Sequence, residues 1–130
     1  MLFRSLAQSS ASKSQLKAWM KSSEEHTRQL GYNTFRATLK QGDPISDDDC
    51  RQVLRTIEKE IHSSANFARH SMNGAVIAIG IYRPSLRREA IAAALRIGKV
   101  EVDHGETDCQ TPEAAAYIEK TVKRLSKKKA

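Results

Sequence analysis

Displaced by 41 positions, the chain meets itself. Ser22 and Ser23 fall on Ser63 and Ser64, Arg28 on Arg69, Ala37 on Ala78, and Leu54 and Arg55 on Leu95 and Arg96. Ile45 meets Leu86 and Cys50 meets Ile91 at the same offset. One coincidence carries nothing. Here serines suited to helix starts and apolar positions suited to a core coincide in a single register. The repeating unit reads as a pair of helices. Such a unit buries its apolar face only against its neighbours, so the chain is constrained to stack.

The apolar spacing places the helices. Leu16, Trp19 and Met20 form one stripe within residues 13–21, after a polar break at Ser9 to Ser12. Residues 2–8 read as the end of an earlier helix. Ser23 is the expected cap of a second helix, with Glu24 and Glu25 in its first turn and its end near Lys40. Gln41-Gly42-Asp43-Pro44 is a turn. Ser46 caps a third helix, whose Cys50, Val53, Leu54, Ile57 and Ile61 make a core stripe. His62 to Asn66 is a break. A fourth helix is expected from Asn66 to about Ile81, carrying Phe67, Met72, Ala75, Val76 and Ile79. Pro84 and Ser85 open a fifth, which Gly98 ends. Thr111 is the expected cap of the last, with Pro112 at its first position and Glu113 beside it. No stretch alternates with period two for long enough to require a sheet.

The expected fold is all-α, a HEAT/armadillo-like helical repeat solenoid of about two complete helix pairs plus flanking helices. Residues 1–130 form a single domain, with 1–12 and 124–130 as loose ends. About three units are usually needed for a stable stack, so the short count points to an incomplete chain or one that needs a partner.

Composition narrows the function. The chain is 39% hydrophobic and 28% charged, with only three prolines, which is ordinary globular material. No apolar run is long enough to span a membrane, and the start lacks the apolar core of a signal peptide. Cys50 and Cys109 are far apart, which fits a reducing cytoplasm and neither a disulfide framework nor a zinc site. The net charge is +7, partly from Lys123, Arg124, Lys127, Lys128 and Lys129. This basic balance suits an anionic partner, most commonly nucleic acid. The first helix of each pair carries arginines in register: Arg28 is followed by Arg36 and Lys40, Arg69 by His70 and Asn73. On a stack these line one face and suit phosphates.

Two clusters invite a reading as chemistry. Asp47, Asp48 and Asp49 are explained by a helix start. Asp103, His104, Glu106, Asp108 and Cys109 could suggest a metal or a nucleophile, but these neighbours cannot easily converge on one ion. They read as a connector, with Val100 and Val102 tucked against the stack and Gly105 at a sharp turn. No catalytic residue, metal ligand or cofactor site is assigned.

Three stretches, WMKSSEEHTRQLGYNTF, HSSANFARHSMNGAVIAIG and IGKVEVDHGETDCQTPEAAAYIEK, resemble the AlkD type of DNA alkylation repair proteins over about Ser12 to Lys120. The resemblance implies a stack of HEAT-like repeats that grips duplex DNA on a basic concave face. It also implies excision of N3- and N7-alkylated purines, in which a carboxylate and aromatic rings stabilise the developing positive charge. The family's catalytic aspartate lies upstream of the tryptophan that Trp19 matches, and this chain has no aspartate before Asp43. The family's arginine falls on Gln29, beside Arg28, and its second aromatic falls on Ala75. The expected reading is therefore a truncated or divergent member, acting as a monomer. It would contact alkylated duplex DNA through Arg28, Gln29, Arg36, Arg69 and Asn73. The competing reading is a HEAT-repeat scaffold for protein partners.

Overall fold

The computed structural model describes residues 10–42, 45–103, 105 and 111–129. These form six α-helices and two 3-10 turns, with no strand among them. The helices are α1 (Ser10–Lys21), α2 (Glu25–Gln41), α3 (Asp47–Glu60), α4 (Asn66–Tyr82), α5 (Arg87–Ile97) and α6 (Ala114–Lys129). The 3-10 turns are Ile61–Ser63, after α3, and Pro84–Leu86, ahead of α5.

The repeat is visible in the boundaries. Glu25 to Asn66 and Gln41 to Tyr82 are each 41 positions, so α4 starts and ends where the offset puts it. The helices α2, α4 and α6 lie side by side in one layer, with α4 central. A second layer holds α3 and α5, with α1 beside them. Equivalent helices run parallel: the start of α2 meets the start of α4, while along α4 Asn73 meets Pro112, just ahead of α6, and Gly80 meets Ile118 in the second turn of α6.

Burial follows from that placement. From Ser71 to Gly80 every residue of α4 is buried, because helices flank it in its own layer and back it in the other. Phe35, Leu39, Cys50, Ile57, Ile61, Leu86 and Ile118 join its Met72 and Ile79 in one continuous core. Cys50 is the small buried hydrophobe its stripe predicts, and burial pushes its thiol up to about 11.

Several helix ends differ from expectation. The N-cap of α2 is Glu24, not Ser23: its carboxylate accepts from the His26 and Thr27 N–H groups at 3.2 and 2.6 Å. An ionised carboxylate takes both orphan donors, where a hydroxyl commonly takes one. The Thr27 hydrogen bonds, followed by that of His26, hold Glu24 below the usual carboxylate range. Ser63 and Ser64 do not cap α4 either; both hydroxyls donate back to the Glu60 carbonyl. The preceding repeat does the capping instead, through the Glu25 carboxylate, which accepts from Phe67 N–H at 2.8 Å. The serine register thus marks the linkers between repeats.

At α6 the first helical carbonyl is that of Glu113, which accepts from Tyr117 N–H. Thr111 instead pairs its hydroxyl with His70 Nδ1 at 3.0 Å. The helix α1 begins at Ser10, inside the expected polar break, and α6 continues to Lys129, past the expected loose end at residue 124. The leucine, lysine and arginine residues there are good helix formers. Ser46 caps α3 as expected, accepting from Asp49 N–H, and Gly98 ends α5 at φ +74°.

Candidate nucleic-acid interface

The outward face of the α2–α4–α6 layer has a period of its own. Gln29, Asn33, Arg36 and Lys40 recur at helical spacing along α2. At the 41 offset, His70, Gly74, Ile77 and Ile81 occupy the equivalent positions on α4. Beyond them Tyr117, Lys120 and Arg124 share one side of α6. Between α2 and α6 the face sinks into a groove of about 500 Å³. Arg36 and Lys40 stand on one wall, Tyr82 and Tyr117 at the other, and Gly74, Ile77 and Ile81 are on the floor.

The groove exists because α4 is short of side chains where α2 crosses it. A methyl group built on Gly74 would lie 2.6 Å from Cζ and Nη1 of Arg36, so the Arg36 guanidinium rests flat on the glycine. Among the described residues it has neither an ion-pair nor a hydrogen-bond partner. Lys40 is likewise exposed and unpaired among the described residues. Further along the same face Lys120, Arg124 and Lys127 are exposed on α6.

The five residues that the sequence points to separate. Arg36 lies in the groove, and Gln29 is on the same stripe, with its Oε1 3.3 Å from His26 Nδ1. Arg28 is turned inward. Its Nε donates to the Met20 carbonyl at 3.1 Å, Nη1 to Ser64 Oγ at 3.0 Å and Nη2 to Glu60 at 3.2 Å. Its side chain is only 15% exposed, so its donors are committed to the protein. Asn73 is 3% exposed and donates to the Pro112 carbonyl at 2.8 Å, tying the last connector to α4. Arg69 is half-buried, and its Nε lacks a partner among the described residues.

Lys40, Asn33, Tyr82, Tyr117 and the α6 cations join the face without having been among those five. Extending the stripe through Arg36 by whole turns finds the first two. Tyr117 depends on how far α6 is displaced from the 41 register, and Tyr82 closes α4 one residue beyond Ile81.

The acidic clusters have structural roles. Asp47 meets Arg83 and the Ser85 hydroxyl and Asp49 meets Lys17, which ties α3 to its neighbours, while Asp48 pairs with Arg51 within α3 itself. In the connector, Asp103 N–H and carbonyl pair with the Asn66 amide at 2.6 Å each, and its carboxylate accepts from Gly105 N–H. Val100 packs against the core. His104, Glu106, Asp108 and Cys109 lie outside the described residues, as do Asp43, Pro44 and the first nine positions. Among the described residues no three His, Cys, Asp or Glu side chains gather as a metal site, and no helix is long and apolar enough to cross a membrane.

Comparison with known proteins agrees with this architecture. An uncharacterised protein of Listeria innocua is 33% identical over 110 residues, which is 85% of this chain and 47% of that protein. One from Listeria monocytogenes is 32% identical over 108 residues, 83% of this chain and 46% of that one. The chain thus spans about half the length of the curated relatives it matches. A solved structure from a family described as related to the HEAT-like repeat DNA glycosylases, with affinity for branched DNA structures, superposes with a TM-score of 0.81. The match is at 21% identity and covers 95% of this chain and 54% of the other, which establishes the shared HEAT-like fold. The family profile described as DNA alkylation repair enzyme matches residues 1–129, and with the helical stack in view the chain belongs to the DNA alkylation repair enzyme family.

Proposed function

We propose that the chain binds DNA through the outward face of α2, α4 and α6, with Arg36 and Lys40 on one side and the α6 cations on the other holding backbone phosphates. The observation that carries this reading is the unpaired Arg36 guanidinium seated on Gly74 at the edge of an open groove. A cation without an internal partner sacrifices little protein stability when it neutralises a phosphate, and each such neutralisation releases counterions. Family membership and the structural neighbour's affinity for branched DNA support the same class of partner, so forks and junctions belong among the probes. The groove is lined by no carboxylate among the described residues. Excision of an alkylated base needs stabilisation of positive charge on the sugar. The reading therefore assigns recognition of DNA to these residues, and no base release from methylated DNA is expected of the 130-residue chain alone.

The test is a set of binding isotherms for a short duplex across a range of salt concentrations. Arg36→Ala with Lys40→Ala is expected to weaken binding about tenfold at low salt. The slope of log affinity against log salt should fall by about 0.9 for each phosphate that is no longer neutralised. Unchanged affinity and slope would reject this face as the interface.

Gly74→Ala gives an independent check. The atoms nearest the added methyl all belong to the guanidinium end of the flexible Arg36 side chain, and alanine is favoured over glycine in a helix interior by about 1 kcal/mol. The variant should melt at the same temperature or slightly higher, yet bind DNA severalfold more weakly. Calorimetry and anisotropy on one preparation read both effects.

A further inference from the structure

The groove is not built for phosphates alone. Its cations stand on the α2 wall, but the floor is Ile77, Ala78 and Ile81, and the far wall ends in the rings of Tyr82 and Tyr117. These rings are 39% and 44% exposed. Among the described residues neither has a hydrogen-bond or ring partner, whereas His26 and Phe67, at the opposite end of α2 and α4, stack on each other. The chain has only three tyrosines, and the third, Tyr32, is buried in the core. Both available phenols thus border one cleft.

An exposed tyrosine offers a phosphate only its hydroxyl, and its ring face over an apolar floor offers a phosphate nothing. It does offer a flat surface to a flat apolar ligand, and the Arg36 guanidinium on Gly74 supplies a second planar surface across the groove. A continuous duplex presents phosphates and base edges while its base faces remain stacked inside. Only an unpaired nucleotide exposes a face that an aromatic ring can take.

We propose that this groove is a seat for an unpaired base, held against Tyr82 and Tyr117 while Arg36 and Lys40 hold the flanking phosphates. The preferred DNA is then one with a base out of the stack, at a bulge, fork or junction. This rests on the DNA-binding reading above and adds to it the feature of DNA that is recognised.

The experiment compares two fluorescent probes of equal length, a continuous duplex and the same duplex with one bulged 2-aminopurine. Binding is followed by anisotropy and base stacking by 2-aminopurine emission. The native chain is expected to favour the bulged probe about fivefold or more and to quench the bulged base. Tyr82→Ala with Tyr117→Ala should remove both the preference and the quenching, bringing the affinity for the bulged probe down to that for the continuous duplex. Tyr82→Phe with Tyr117→Phe should retain them, because the ring is what the base stacks on. Thermal melts of each variant check the fold. Equal affinity for the two probes, or a preference that survives the double alanine change, overturns the base seat and leaves the phosphate face standing. Binding to neither probe overturns both.

Discussion

Replacing Ile118 by alanine is expected to lower the unfolding free energy by about 2–5 kcal/mol, towards the upper part of that range. Ile118 is fully buried, and its Cδ1 would lie 2.5 Å from a methyl group built on Gly80. The isoleucine therefore fills a notch that exists only because residue 80 has no side chain. Truncating it leaves a void on the α4 surface, and neighbours held by a packed core relax into such a void only partly. The arrangement can be inverted. Gly80→Ala alone should destabilise by forcing α6 outward. In the Ile118→Ala background the same methyl has room, and the double variant should recover part of the stability. Urea unfolding of the native chain, the two single variants and the double variant gives the coupling. Additive effects would show that the two residues do not share the notch. The same variant bears on binding, because α6 carries Tyr117 and the exposed cations.

That notch shows what a sequence yields and what it withholds. The 41-residue offset, the core stripes and the acid-rich start of α3 all follow from spacing and residue type within one helix, and each reappears in the structure. Helix caps are less legible, because Ser22, Ser23, Glu24 and Glu25 are all competent acceptors within four positions. Which one meets an orphan N–H depends on how the chain enters the helix. Glu25 capping a helix 41 positions on is a tertiary fact with no local signal. The proposed interface divides in the same way. A basic face on the first helices is legible from charge and register. The division of labour among its arginines is not, because the acceptors that engage Arg28 come from Glu60 and Ser64, more than thirty positions away. Arg36 remains available for the opposite reason: its neighbour across the stack, Gly74, has no side chain to accept from it. Tyr117 is hidden by the connector between α5 and α6, which shifts the third first-layer helix out of the 41 register, whereas Tyr82 keeps the register but falls opposite Gln41, which gives no aromatic signal.

Arg28→Ala is the variant that separates a phosphate ligand from an internal clamp. The native guanidinium joins the end of α1 at Met20, the end of α3 at Glu60 and the linker at Ser64. Its removal leaves the Met20 carbonyl without that donor and one carboxylate oxygen without its cation. Glu60 is 42% exposed, so water compensates much of the ion pair, and the Coulombic part is discounted accordingly. The hydrogen bonds from a charged, largely buried group carry most of the effect, and a destabilisation of about 2–3 kcal/mol is expected. Arg28→Lys should recover little, since one ammonium cannot reach three acceptors spread around a planar fork. Under conditions where the variant remains folded, its DNA affinity and salt slope should match the native chain. The opposite result, unchanged stability with a shallower salt slope, would place Arg28 on the DNA and dismantle the clamp. Because Arg36→Ala should show the reverse pattern, the two single substitutions measured side by side decide which arginine serves the stack and which serves the partner.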